Sequence, residues 1–78
     1  MNTTINVDAR EILFIKEHAP KGFSRIIADS LQSEGITVDR VTVHKEISTL
    51  KTNYNKQVIE TARRLLKAIK GVEFQAGN

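Results

Sequence analysis

The residues with the most evident chemistry lie in the stretch TVDRVTVHKEISTLK, residues 37–51. Arg40, His44 and Lys45 carry hydrogen-bond donors, and the first and last are positively charged. Val41 and Ser48 belong to the same row of side chains, one apolar and one hydroxylated. Charged donors of this kind bind anions through short, strong hydrogen bonds. The stretch therefore predicts a surface for a negatively charged partner, and the alternative is an ordinary solvated helix surface.

Other kinds of chemistry are not indicated. There is no cysteine, and the two histidines, His18 and His44, do not have the spacing of two metal ligands on one helix. The four glycines are scattered and form no phosphate-binding loop: Gly22, Gly35, Gly71 and Gly77. No nucleophile with a base and no pair of carboxylates is evident. We expect a protein that is not an enzyme, needs no metal or cofactor, and has no evident small-molecule ligand.

The totals of the chain fit one domain. It has 78 residues, of which 40% are hydrophobic and 27% charged, and no apolar run is long enough for a membrane span. The N-terminal segment MNTTINVDAR has neither a basic n-region nor an apolar h-region. We expect a single cytoplasmic domain over residues 1–78, without a membrane partner, with an ordered core over about residues 8–71 and flexible ends.

Positive charge is concentrated in the second half of the chain. Residues 1–39 have four basic and six acidic side chains, a net charge of −2, whereas residues 40–78 have eight basic and three acidic ones, a net charge of +5. The two halves sum to the net charge of +3. A basic half on a small protein is typical of a polyanion binder, although many small domains are basic for solubility.

Capping and stop signals predict the first two helices. Asp8 and Glu11 have the spacing of a capping box and indicate a helix over about residues 9–18, which a proline ends. Ser24 is expected to cap a second helix. Gly35 is placed to end that helix in a left-handed conformation.

Two more helices follow. Asp39 is a favourable N-cap for a third helix over residues 40–51. Residues 52–55 are polar and predict a turn before the fourth helix, which ends at Gly71. The apolar stripe of the third helix is Val43, Ile47 and Leu50, and that of the fourth is Val58, Ile59, Ala62, Leu65, Leu66 and Ile69. The predicted fold is all-α, a compact four-helix domain.

The second and third helices have the pattern of a helix-turn-helix. Ala28 is small enough to let the two helices cross closely, and Val43 and Ile47 are placed to hold the third helix against that crossing. The N-terminal half of the third helix is then expected to stand clear of the surface, where it can enter a DNA major groove.

Two repressor families carry similar segments. The sequence LQSEGITVDRVTVHKEISTLK, residues 31–51, resembles the helix-turn-helix of the arginine-repressor family, in which a glycine and a hydrophobic link lead into the recognition helix. Asn53-Tyr54-Asn55-Lys56 with Val58-Ile59-Glu60-Thr61-Ala62 resembles the lactose-repressor headpiece. The chain departs from the first family by lacking the signals of a winged hairpin, and from the second by a longer link between the helices.

The resemblance implies two sets of DNA-contacting residues. Base contacts are expected from the exposed start of the third helix, at Arg40, Val41, His44, Lys45 and Ser48. Phosphate contacts are expected from Ser24, Arg25, Thr42, Lys51, Asn53, Tyr54, Asn55 and Lys56. Tyr54 has an alternative role, packing over the end of the third helix. Four cations of the fourth helix lie either in solvent or along the DNA backbone: Arg63, Arg64, Lys67 and Lys70.

The resulting hypothesis is a sequence-specific DNA-binding protein, and within that class a small, repressor-like transcriptional regulator of bacterial or phage type. Its partner is double-stranded DNA, bound as a homodimer because one helix-turn-helix reads only a few base pairs. Two alternatives remain open. One is a helical protein–protein interaction module, and the other is a DNA-recruiting subunit of a phage packaging or recombination complex.

Overall fold

The computed structural model describes residues 3–75, in which two short strands and four helices follow one another. They are β1 (Thr4–Asn6), α1 (Ala9–His18), α2 (Phe23–Ser33), α3 (Arg40–Ser48), β2 (Asn53–Asn55) and α4 (Lys56–Lys70). The expectation of a mostly helical, compact domain is confirmed. The fold is not all-α, however, because the two strands pair with each other.

The core lies where the four helices meet. α2 packs against α3 and α4, and α1 packs against the same two helices from another side. The side chains with almost no exposed surface are Ile12, Ile15, Phe23, Ile27, Leu31, Val43, Ile47, Tyr54, Val58, Ile59, Ala62 and Leu66. Each fully buried aliphatic side chain among them contributes about 1.5–3 kcal/mol relative to an exposed one. The apolar faces read from the sequence therefore hold the helices together.

β1 and β2 form an antiparallel sheet that the sequence did not predict. Ile5 pairs with Tyr54, while Thr4 and Asn6 pair with Asn55 and Asn53. Residues 4–6, expected to belong to the N-terminal end, form β1, and residues 53–55, expected to form a turn, form β2. The outermost parts of the expected flexible ends, residues 1–2 and 76–78, lie outside the described residues.

Aspartates cap α1 and α3 as expected, whereas Glu11, the other member of the predicted capping box, binds Arg63. Asp8 Oδ1 accepts the backbone N–H of Arg10 at 2.8 Å, and Asp39 Oδ1 accepts the backbone N–H of Thr42 at 2.7 Å. Each carboxylate thereby satisfies one of the N–H groups that a helix start leaves without an intrahelical partner. α3 therefore begins where the sequence places it, at Arg40.

The other helix ends include two corrections. Ser24 does not cap α2, because that helix begins at Phe23 and its N-cap is Gly22, whose φ of 75° is left-handed. α3 ends at Ser48 rather than at residue 51. Leu50 consequently lies beyond the helix and is 54% exposed, so it does not extend the buried stripe of α3.

A buried ion pair joins α1 to α4. Glu11 is only 6% exposed, and its two carboxylate oxygens accept hydrogen bonds from Arg63 Nε at 2.7 Å and Nη2 at 2.8 Å. These hydrogen bonds raise the pKa of the Arg63 guanidinium above its ordinary value. The two-point contact fixes α4 against α1.

Candidate nucleic-acid interface

α3 has a buried and an exposed face. Val43 and Ile47 are buried against the rest of the protein. The predicted base-contacting residues Val41, His44, Lys45 and Ser48 lie at i, i+3, i+4 and i+7, which places them together on the opposite face. Arg40 and the first three of these are exposed, and Ser48 is half-buried. The face is therefore accessible along the whole length of α3.

An open groove separates this face from the start of α2. Its volume is about 530 Å³, and α1, α2 and α3 all contribute to its walls. The charged and polar side chains that line it are Lys16, Ser24, Arg25, Arg40, His44 and Ser48. A second depression of about 280 Å³ is lined by Ser24, Arg40, Val41 and His44. The fold thus brings Ser24 and Arg25 next to Arg40 and His44, two of the predicted base-contacting residues.

The start of α2 has no side-chain cap. Among the described residues, no acceptor binds the backbone N–H of Ser24 or of Arg25. Such a helix end carries a partial positive charge and favours an anion. Ser24 Oγ lies 3.5 Å from His44 Nδ1, so the uncapped end of α2 is in contact with the exposed face of α3.

The cations around the groove have few acidic partners. Lys16, Arg40 and Lys45 form no salt bridge with any residue in the range 3–75. Arg25 has only an exposed contact with Asp29, at 3.9 Å, and such contacts contribute little. Lys16 was not predicted from the sequence, because nothing in the pattern of α1 indicates that its lysine reaches the groove of α2 and α3.

Thr42 lies at the start of α3 beside its cap. Hydrogen bonds from its backbone and side chain, followed by smaller effects that include the charge of Lys45, hold the pKa of Asp39 below its ordinary value. Asp39 is therefore an ionised acid at the edge of a basic surface. Its charge is directed at the N–H groups of the helix start, which limits its repulsion of an approaching anion.

Tyr54 belongs to the core and not to the surface. It has no exposed area, its hydroxyl donates to the carbonyl of Thr49 at 2.9 Å, and it accepts the N–H of Lys51 at 2.7 Å. Of the two roles considered for Tyr54, packing beneath the end of α3 is the one that this geometry supports. Its buried and fully engaged hydroxyl is not available to a phosphate.

Most of the other residues after α3 also have structural partners. Lys51 forms an ion pair with Glu46 and lies over the ring of Tyr54, 5.4 Å from its centroid. Asn55 caps α4, where its Oδ1 accepts two backbone N–H groups, and its own N–H donates to Glu46 at 3.0 Å. Asn53 and Lys56 are exposed. This segment therefore supports the end of α3. Asn53 and Lys56 are its members that stay candidates for a phosphate contact.

The cations of α4 are mostly paired with acids. Besides the Arg63 pair, Arg64 Nη2 lies 3.0 Å from Glu34, and Lys67 lies 3.7 Å from Glu73. Lys70 has no salt bridge within the described part of the chain. Of the four α4 cations whose role the sequence left open, three therefore lie near an acid of the protein itself, although the pairs of Arg64 and Lys67 are exposed and contribute little.

Comparison with known proteins gives no match: no family model, no curated protein and no solved structure is significantly similar to this chain. Within residues 3–75, none of the helices combines the length and the apolar character needed to cross a membrane. In the same range, no three histidine or acidic side chains are grouped in a way that would hold a metal ion.

Proposed function

We propose that this protein binds double-stranded DNA, with α2 and α3 acting as a helix-turn-helix and α3 entering the major groove. The observation that carries the proposal is the exposed face of α3, which adjoins an uncapped helix start and carries two cations, Arg40 and Lys45, that form no salt bridge within residues 3–75. Within this class, a small transcriptional regulator of bacterial or phage type remains our first hypothesis, and a cytoplasmic location remains a prediction.

The roles of the residues follow from their donors and positions. Arg40 and Lys45 donate to guanine O6 and N7, and His44 donates to an acceptor on a base edge. Ser24 and Arg25 hold a phosphate with the free N–H groups of α2. Because the protein uses phosphate neutralisation for most of its affinity, that affinity falls steeply as salt is added.

The size of the domain favours a dimer on DNA. Its longest dimension is 35 Å, comparable to one turn of the double helix. A single α3 of nine residues reaches only a few base pairs, too few for a unique site. Two copies on half-sites about 34–36 Å apart supply the missing specificity.

The test is a salt series of binding to random-sequence duplex DNA, measured by fluorescence anisotropy from about 50 to about 200 mM salt. We compare the wild type with the double variant Arg40→Ala, Lys45→Ala and with a matched control, Arg64→Ala, Lys67→Ala. Both variants lose two positive charges, so any difference between them reports position and not net charge. Wild type is expected to lose at least about tenfold in affinity across the series.

The Arg40→Ala, Lys45→Ala variant is expected to bind at least about tenfold more weakly than wild type. The slope of its log affinity against log salt concentration should be smaller in magnitude by up to about two. The α4 control should bind much closer to wild type, because Arg64 and Lys67 line neither depression beside α3 and each already has a carboxylate partner. If both variants weaken binding equally, α3 is not the interface. If folded wild type does not bind DNA at the lowest salt, the proposal is overturned.

One observation favours the protein–protein interaction module as second candidate. Leu13, Leu50 and Ile69 are large apolar side chains that are each about half exposed. A protein partner that covers them predicts folded protein with no affinity for DNA at low salt. A packaging or recombination subunit, in contrast, binds DNA as proposed and differs only in what it recruits.

A further inference from the structure

Val41 is the most exposed large hydrophobic side chain in the described part of the chain, at 58%. It lies on the first turn of α3, on the same face as His44 and Lys45, and it lines a depression together with Ser24, Arg40 and His44. The other exposed large hydrophobic residues, Leu13, Leu50 and Ile69, do not line that depression. Val41 is thus an apolar spot within a cationic and hydrogen-bonding surface.

Neither folding nor local propensity accounts for valine at this position. The side chain contributes little to the core, because more than half of it is exposed. Valine is also a weaker helix former than lysine, arginine or alanine, since its branched side chain loses rotamer freedom in a helix. An apolar group placed among donors is useful if the partner presents an apolar group among acceptors.

The major groove of DNA presents one such group, the C5-methyl of thymine, which lies beside hydrogen-bond acceptors on the base edges. We propose that Val41 is a specificity-determining residue that packs on a thymine methyl, so that each half-site contains a required T·A pair next to the bases contacted by Arg40 and His44. This proposal rests on the proposed function and adds to it the class of sequence that is bound. The positive charges of Arg40 and Lys45 attract DNA, and Val41 determines which DNA sequence is preferred.

The experiment begins with selection of preferred duplexes from a random pool by the wild-type protein. Each thymine of the selected site is then replaced in turn by deoxyuridine, which removes the methyl and leaves the hydrogen-bonding groups unchanged. Dissociation constants are measured for wild type, Val41→Ala and a control, Leu50→Ala, which removes an equally exposed apolar side chain outside the depression. Circular dichroism verifies that each variant is folded.

At one thymine of each half-site, uracil is expected to weaken wild-type binding about three- to fivefold. This is the effect of losing the buried contact of one methyl group. Val41→Ala should show little or no uracil effect there, whereas Leu50→Ala should keep it. Replacement of that T·A pair by C·G should weaken binding, and 5-methylcytosine in place of cytosine should restore part of the loss, because it returns the methyl alone.

Three results overturn the proposal. If no thymine responds to uracil in wild type, no methyl is read. If Val41→Ala shows the same uracil effect as wild type, a different residue reads it. Either result leaves salt-dependent DNA binding, and therefore the proposed function, intact. If the folded wild type binds no DNA at all, the proposed function and this inference fail together.

Discussion

α3 and α4 both carry basic residues but differ in what surrounds them. On α4, Arg63, Arg64 and Lys67 each lie within 4 Å of a carboxylate, and the partner of Arg63 is buried. On α3, Arg40 and Lys45 are exposed and form no salt bridge with a described residue. The same residue types thus support the fold on one helix and remain available to a partner on the other.

This difference matters because a cation that is already paired has fewer donors and less uncompensated charge to offer a phosphate than an unpaired one. Arg63 would leave the Glu11 carboxylate buried and unsatisfied, whereas Arg40 and Lys45 have no such bond to break. Net charge alone does not locate a nucleic-acid surface in so small a protein. The positions of the carboxylates that already pair with cations support our proposal that the DNA-binding surface lies on α3.

Arg63→Ala is expected to have the largest effect on stability. It strands a buried carboxylate, which destabilises the fold by about 2–3 kcal/mol after allowance for the partial exposure of Arg63. Urea unfolding followed by circular dichroism measures the change. Arg64→Ala is the matched control, because its pair with Glu34 is exposed on both sides and its loss should cost less than about 1 kcal/mol. Equal losses in the two variants would contradict a structural role for the α1–α4 pair.

Tyr54→Phe is expected to come next. The change keeps the buried ring and removes the hydroxyl, so the Thr49 carbonyl and the Lys51 N–H lose their partner at the end of α3. The loss should be about 1–2 kcal/mol in the free energy of unfolding. Asn53→Ala, on the same strand but exposed, should change stability by less than about 0.5 kcal/mol. A Tyr54→Phe variant as stable as wild type would show that the hydroxyl does not anchor α3.

The helix ends and the Arg63 pair show which features can be predicted from the sequence and which cannot. The bounds of α1, the cap at Asp39 and the burial of Val43 and Ile47 follow from local capping and from helical spacing. The partner of Arg63 does not, because Glu11 lies 52 positions away and only the packing of α1 on α4 brings the two together. Long-range pairs of this kind have no signature in a local pattern.

The sheet and the groove were missed for a similar reason. Three residues with one buried side chain, Asn53-Tyr54-Asn55, are too few to distinguish a strand from a turn, and their pairing depends on Ile5, 49 positions earlier. The candidate base-contacting residues were identified because they share one helix with its own cap. Lys16 joins the groove only through the packing of α1 on α3.

Asp39→Asn tests whether the charge of the α3 cap stabilises the fold, through the pH dependence of the free energy of unfolding. Hydrogen bonds from Thr42 lower the pKa of Asp39 in the folded state, so the stability that this group contributes is present above its unfolded-state pKa and is lost as pH falls through its folded-state pKa. Asparagine keeps a capping oxygen but does not titrate. The stability difference between wild type and variant, measured by urea unfolding, should therefore favour wild type at neutral pH and shrink in acid. A difference that stays constant with pH would contradict the capping role of the charge.

The smallest expected effect on stability is that of Arg40→Ala, Lys45→Ala, which should leave the free energy of unfolding within about 0.5 kcal/mol of wild type. Both side chains are exposed and form no salt bridge with any residue of the described range 3–75, so their removal breaks no such contact. The same urea titration tests this expectation, with Arg63→Ala as the destabilised reference. A loss of more than about 1 kcal/mol would mean that the α3 cations are structural as well. In that case weaker DNA binding by the double variant would no longer locate the interface, since unfolding alone would account for it.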